Sequence, residues 1–423
     1  MYIKNSLLFL ILFLIATEGL FANYKIAGIG MVRIVEALYF FYIIKSFFND
    51  LRENKILLIT FKLSIIFFLL LSLKLFTVTF IFNHYESKIF IDFARLTLMF
   101  MLFYIMYYIL SKDIKYLNII LLLNLPIIII AFFQGSFTPF TDLAWYLKFH
   151  YFAQLGNDID TPWFRTRVCG LYPFTIPLGY ILVTNMIVAL YLYIKFSYIR
   201  YIYYFIFLGI VSSFTLTRSV MLSWLVITLY FLYLILRNGT MIKKIIVFFS
   251  LFLFISFSLA TVATNADKFS RLSQLDDNSA EGRIPLAITA TYSLIKYPLG
   301  FSDIEYNIAK KEMYNIIHNK NILEHAGHNG FLNIGFVYTL IGLFVFIGYF
   351  IYIFMLVKNK FSYDIKSFLM VIAIAYLANS LFHNNFLFYS DFYGLLILAI
   401  LAVEYKLAKE RKYWNVPYKL DKL

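Results

Sequence analysis

Glu324-His325-Ala326-Gly327-His328-Asn329-Gly330-Phe331-Leu332 begins as a polar cluster with two histidines and runs straight into an apolar stretch that continues to about residue 357. A helix that spans a bilayer needs roughly 20 predominantly apolar residues, and this stretch supplies more. The same reading extends outward along the chain. Apolar runs of spanning length lie at about 5–22, 26–48, 56–82, 89–111, 116–136, 174–194, 200–217, 219–236, 244–263, 331–357, 365–383 and 387–405. The 423 residues are 62% hydrophobic and 14% charged, whereas soluble domains carry about 25% charged residues. These features predict one integral membrane domain over 1–423, an all-α polytopic transmembrane bundle of about 12 spans. Short alternating strands would mark a transmembrane barrel, and these runs are too long and too continuous for that. The single cysteine, Cys169, excludes an internal disulfide.

Loop charge sets the orientation. Lys45, Arg52 and Lys55 form one short basic loop; Lys112 with Lys115, Lys195 with Arg200, Arg237 with Lys243 and Lys244, and Lys358 with Lys360 and Lys366 form others. Lys406, Lys409, Arg411 and Lys412 add a basic tail. Basic residues in short loops mark the cytoplasmic side. Both termini are therefore expected inside, with two long loops, 137–173 and 264–330, on the outer side. The formal net charge of +14 is explained by these topology-setting residues, so no nucleic-acid partner is expected. Residues 1–22 also have the outline of a signal peptide ending at Leu20-Phe21-Ala22. The small-residue match is poor, and they are read as the first span.

Charges inside the spans gather toward the outer end. Arg33 and Glu36 lie three apart, as do Asp92 and Arg95, and Lys74 stands in the outer half of its span. Residues three apart on a helix are neighbours, and a charge in hydrocarbon costs at least about 2.5 kcal/mol, so each must face protein or water. Internal ion pairs are the plain reading; an outward-facing polar cavity is the functional one. Arg218, in Thr217-Arg218-Ser219, opens a span at the outer end. An arginine at a helix N-terminus suits phosphate, while an interfacial arginine that snorkels is the plain alternative.

The outer loops hold most of the water-compatible chemistry. Trp163-Phe164-Arg165-Thr166-Arg167 combines rings that stack on sugars with arginines that grip anions, or forms an interfacial aromatic belt. In Glu281-Gly282-Arg283, the arginine opens an apolar helix over Ile284–Ile295, with Pro285 just inside its start and Tyr297-Pro298 ending it. Its pattern suits a segment lying along the membrane. His325 and His328, beside Glu324, have a spacing that metal ligands use, but no H-E-x-x-H motif or second ligand cluster accompanies them, so no metal is assigned. A histidine in such a setting suits a general base. His318 reads as an exposed loop residue, and His383 borders the same side.

Three segments in this order resemble the O-antigen ligase and polymerase superfamily of bacterial membrane glycosyltransferases: Thr217-Arg218-Ser219, then Glu281-Gly282-Arg283 with Pro298-Leu299-Gly300-Phe301, then His328-Asn329-Gly330-Phe331-Leu332 with Gly335 and Gly342. The resemblance is best over about residues 165–345 and departs at Thr217 and Ser302. It implies a GT-C-like fold in the bacterial inner membrane, with the active site on the periplasmic face in the second long loop. It also implies transfer of a glycan from polyprenyl pyrophosphate to a sugar hydroxyl, with no cofactor and no metal. The acceptor is a second lipid-linked repeat unit in a polymerase or lipid A-core in a ligase; the polymerase is expected here, with a possible chain-length regulator as partner. A lipid-linked oligosaccharide flippase is the alternative from another class. On this reading Arg218 and Arg283 hold the pyrophosphate and His328 is the base. Arg167, Asn329, His325, Arg33 and Arg95 contact or attract substrate.

Overall fold

The computed structural model describes residues 29–136, 139–154, 168–172, 175–215, 217–238, 283–324, 329–360, 363–380 and 392–414, with isolated positions between 11 and 26 and between 240 and 256. Two-residue strands β1 (Lys25–Ile26) and β2 (Ile29–Gly30) pair antiparallel ahead of the first long helix. All other regular elements described are helices. They are α1 (Met31–Glu53), α2 (Lys55–Phe76), α3 (Lys88–Lys112), α4 (Tyr116–Gly135), α5 (Thr141–Gln154), α6 (Thr175–Phe196), α7 (Arg200–Phe214) and α8 (Arg218–Asn238). After these come α9 (Arg283–Lys296), α10 (Asp303–Ile317), α11 (Asn321–Glu324), α12 (Gly330–Lys360), α13 (Tyr363–Ser380) and α14 (Phe392–Trp414). A π-helical turn, Thr77–Ile81, prolongs α2.

Among the described residues, six helical stretches are long and apolar enough to cross a membrane: Lys55–Ile81, Lys88–Lys112, Tyr116–Gly135, Pro177–Phe196, Ser219–Arg237 and Gly330–Val357. Arg200–Phe214 and Lys366–Ala375 are apolar but shorter. The chain is thus a helical membrane protein, and the expectation of about 12 spans is met in part. The runs at 5–22 and 244–263 lie almost wholly outside the described residues. Two regions read as loops contain helices of their own: α5 falls within 137–173, and α9, α10 and α11 fall within 264–330. Of these only α9 is legible as an apolar helix in the sequence.

The centre of the bundle is α6. The apolar window of Pro177–Phe196 is 89% buried inside the protein, against 28% for that of Gly330–Val357, so α6 is an inner post and α12 an outer wall. Helices α4, α7, α8, α13 and α14 pack around α6, while α14 also closes on α3 and α2. A Cβ at Gly179 would lie 2.5 Å from Val220 Cγ2, so the glycine lets α6 and α8 approach closely. Several buried polar groups meet partners on neighbouring helices. Asn54 caps α2 through its side-chain oxygen and donates to the Ala402 carbonyl of α14 at 2.8 Å. Glu404 of α14 accepts from the Tyr191 hydroxyl and pairs with Lys195 of α6 at 2.7 Å.

Helix α12 is broken. Tyr338 (φ −109°, ψ 20°) and Thr339 (φ 72°, ψ 169°) leave the helical region and divide it into an outer-wall segment of two straight pieces. Thr339 adopts backbone angles that are essentially reserved for glycine. Its Oγ1 is buried and has no hydrogen-bond partner. Neighbours hold the break in place. The Tyr338 ring stacks on Phe67 of α2 with centroids 4.1 Å apart and planes within 9°. Replacing Thr339 with glycine removes both the strain and the unpaired hydroxyl. Thr339→Gly is therefore expected to raise stability by about 1 kcal/mol, the low end of what such backbone strain costs, read as a higher unfolding midpoint in detergent.

Candidate functional site

Segments of the second and third sequence motifs meet at the break in α12. Helix α9 begins at Arg283, with Pro285 in its first turn where a missing N–H costs nothing. It buries Leu286, Thr289, Ala290, Ser293 and Leu294 and exposes Ile284, Ile288 and Ile295. The expected apolar helix over Ile284–Ile295 is thus observed, one residue longer at each end. Leu294 lies over Gly335 of α12, where a Cβ would come within 2.8 Å of both its methyl groups. The chain then turns through Pro298-Leu299-Gly300-Phe301. Gly300 has φ +113°, and a Cβ there would lie 2.6 Å from Lys74 Cγ. The turn meets the broken helix directly: the Leu340 amide donates to the Pro298 carbonyl at 3.3 Å. Phe301 and Tyr306 both set their rings edge-on to Phe336, at 5.2 and 5.0 Å.

The neighbouring elements continue the same unit. Ser302 caps α10 in a reciprocal capping box with Glu305, whose carboxylate accepts from the Ser302 amide at 2.8 Å. The other Glu305 oxygen lies 3.2 Å from His84 Nε2, and Lys88 pairs with Asp303 at 3.3 Å. The segment 82–87, which joins α2 to α3, therefore clasps the start of α10. Helix α11, with buried Ile322, packs on α9 and α10 just before His325. Asn329 caps α12, its Oδ1 accepting from the Phe331 and Leu332 amides at 2.9 and 3.2 Å. The helix that starts at Arg283 and the helix that starts beside His328 are thus packed on each other.

His325, His328 and Arg167 lie outside the described residues, as do Trp163, Arg165 and His383. Arg218 and Arg283 are the first residues of α8 and α9; only their backbone positions are described. Helix α8 packs chiefly on α13 and α6, whereas α9 packs on α12. Asn329 is a helix cap, a role that the sequence reading did not assign it. Arg33 pairs with Glu36 at 2.7 Å, and Arg95 stands 3.8 Å from Asp92. The plain reading of both spacings, internal ion pairing, holds. The first long loop is held by Gln134. Its side chain donates to the Gly170 carbonyl at 2.9 Å and accepts from the Cys169 and Gly170 amides at 3.2 and 2.9 Å. Lys148, fully buried, donates to Cys169 Sγ at 2.6 Å. Burial pushes the Cys169 thiol up, and the Lys148 ammonium opposes that shift.

Residues 202–347 match the family model Wzy_C, described as O-antigen ligase. Over this segment the chain is similar to the O-antigen polymerase/ligase superfamily. The matched stretch runs from α7 into α12 and includes Arg218, Arg283, Pro298, His325, His328, Asn329 and the break at Thr339. The superfamily implies glycosyltransferase-like enzyme activity on lipid-linked oligosaccharides. Neither a curated protein nor a solved structure matches the chain. Lys74, Arg33, Arg95 and Arg167 lie outside the matched segment. Lys74 nevertheless touches it, and its place among the spans was visible in sequence while its partner was not. Among the described residues, no group of three or more His, Cys, Asp or Glu is arranged to hold a metal ion.

Asn329→Ala removes a helix cap and should lower stability by about 1 kcal/mol, whereas Asn329→Ser keeps a cap oxygen and should lose little; thermal unfolding of the two variants separates them. Glu86, in the clasping segment, has an oxygen that is buried without a hydrogen-bond partner. Burial pushes its carboxyl up, with Lys74 opposing the shift. A raised acid favours the protonated folded state, so this contribution to stability is present at low pH and lost as pH rises through the raised value. Glu86→Gln should therefore be more stable than the parent near pH ~7.5, and the difference should vanish near pH ~4.

Proposed function

We propose that the protein is a surface-polysaccharide repeat-unit polymerase. It transfers a glycan from polyprenyl pyrophosphate to a sugar hydroxyl of another lipid-linked repeat unit at the outer leaflet of the bacterial inner membrane. The observation that supports glycan transfer is the family match over 202–347, which spans all three motif segments; the choice of a second repeat unit as acceptor rests on the divergent motif spelling and the aromatic first outer loop. The direct packing of α9, which begins at Arg283, on α12, which begins two residues after His328, supports it.

In the proposed reaction the acceptor hydroxyl oxygen attacks the anomeric carbon of the donor sugar. His328 takes the hydroxyl proton as the new C–O bond forms. The bond from the anomeric carbon to the pyrophosphate oxygen breaks, and its electron pair leaves with the lipid pyrophosphate. Charge grows on that leaving group, and Arg218 and Arg283 stabilise it without needing a divalent cation. Each stands at a helix start, where unpaired backbone amides favour an anion. Arg167 and His325 contact the substrate from the loops. Asn329 fixes the entry of the chain into α12. Arg33 and Arg95, though paired, add positive potential nearby. A single displacement inverts the anomeric configuration. No cofactor takes part. The partners are the lipid-linked glycan donor and acceptor and a chain-length regulator, and both chain termini face the cytoplasm.

Transfer to lipid A-core is the second reading, favoured by the description of the matching family model as O-antigen ligase. Purified protein in nanodiscs, given the lipid-linked repeat unit with and without lipid A-core, separates the two. A ladder of lengthening lipid-linked glycans without core supports the polymerase; product only with core establishes the ligase. His328→Ala and Arg283→Ala should each lower the rate by at least about 100-fold, the range a general base or a charge-stabilising group supplies. In cells the repeat units should then accumulate on the outer leaflet; accumulation on the inner leaflet would instead point to a flippase.

A further inference from the structure

We propose that Lys74 is a positioning residue for this reaction: it latches the outer piece of α12, and so sets where its cap, Asn329, stands. The inference rests on the glycan-transfer reading above for its function and on the geometry at the break for its mechanism.

Lys74 lies in α2, far from the matched segment in sequence, and is buried. Its ammonium donates to the Phe336 carbonyl at 2.7 Å. That carbonyl belongs to the last helical turn before Tyr338 and Thr339 leave the helix. The amide four residues on, Leu340, is already engaged by Pro298, so the usual helical partner has been drawn away. A backbone carbonyl at membrane depth has no water to fall back on. A lysine is well suited to the place, because the C-terminal end of a helical piece is negative and the charge-assisted bond is strong. Burial and Lys88 disfavour the ammonium, and Asp92, Glu86 and Asp303 favour it.

The latch also explains Gly300. The lysine stem passes where a Cβ of residue 300 would stand, 2.6 Å from Cγ and 3.0 Å from the lysine Cβ. The Pro298–Phe301 turn is therefore held under Lys74 on one side and bonded to Leu340 on the other. Phe67, two turns earlier on α2, fixes Tyr338 by stacking. One helix thus grips the break at both the carbonyl and the ring. The outer piece of α12 from Gly330 to Val337 extends roughly 12 Å at 1.5 Å per residue. Tilting such an arm by about 10° moves its tip by about 2 Å. A displacement of about 1 Å is enough to cost roughly 100-fold in rate when reacting groups must be aligned.

The test compares kcat and KM for the lipid-linked donor in nanodiscs, with hydrogen exchange of the peptide covering residues 330–340. Lys74→Met keeps the stem and removes the donor. It should lower kcat by about 100-fold, change KM by less than about 3-fold, and speed exchange over 330–340. Lys74→Arg restores a cationic donor and should recover kcat to within about 10-fold of the parent. Thr60→Val is the control. It removes the 2.8 Å bond between Thr60 and the Tyr349 hydroxyl, which joins the same two helices away from the break, and it should leave kcat unchanged. Should Lys74→Met not fold, Lys74→Gln keeps a shorter stem with a neutral donor and should give a kcat between those of Lys74→Arg and the loss expected for Lys74→Met. A parent-like kcat in Lys74→Met, or an equal loss in Thr60→Val, overturns the proposal. His328→Ala is assayed alongside: if it is inactive while Lys74→Met matches the parent, only the latch fails. Full activity in His328→Ala sinks the catalytic assignment instead, whatever Lys74 does.

Discussion

A backbone amide or carbonyl inside a bilayer must find its partner within the protein, and the architecture follows from that requirement. The long apolar stretches meet it by remaining helical along their length. Helix α12 does not, and its exception is compensated residue by residue. Lys74 serves the Phe336 carbonyl, and Pro298 serves the Leu340 amide. The broken helix is therefore not a locally loose element. Its two pieces are joined through α2 and through the turn after α9, which makes parts of the chain remote in sequence into one mechanical unit.

The sequence was most legible where the bilayer imposes length and hydrophobicity. Lys88–Lys112 and Tyr116–Gly135 fall within one residue of the expected limits at each end. Arg283 and Tyr297-Pro298 bracket α9 as their start and stop chemistry predicts. Helix α10 escaped because its residues are largely polar and carry no spanning signal. Its Ser302–Glu305 capping box was nonetheless written in the sequence at the position where the superfamily pattern is broken. The break at Thr339 was not legible. Threonine is no helix breaker, and the strain at that residue is sustained by tertiary partners that no local window contains. Motif order pointed to the segment that the family model matches, but the contact between the Pro298–Phe301 turn and α12 needed three-dimensional packing.

Charged residues in the spans divide by what they touch. Arg33 and Glu36 pair within one turn, and Lys195 meets Glu404 across helices. Such pairs can be neutral for stability, since pairing offsets desolvation without exceeding it by much. Lys74 differs because its direct hydrogen-bond partner is a peptide carbonyl rather than a carboxylate. Its removal would leave backbone unpaired, which side-chain substitution elsewhere cannot easily repair.

Gly300 and Lys74 share a single volume: the space that a side chain at 300 would need is filled by the stem from 74. Drift at either position is therefore constrained by the other. A larger residue at 300 would be strained by its φ of +113° in any case, and would also need a residue 74 that has already become short. Among diverging descendants of this sequence, the two sites should change together rather than independently, as one inherited character distributed between a spanning helix and a loop.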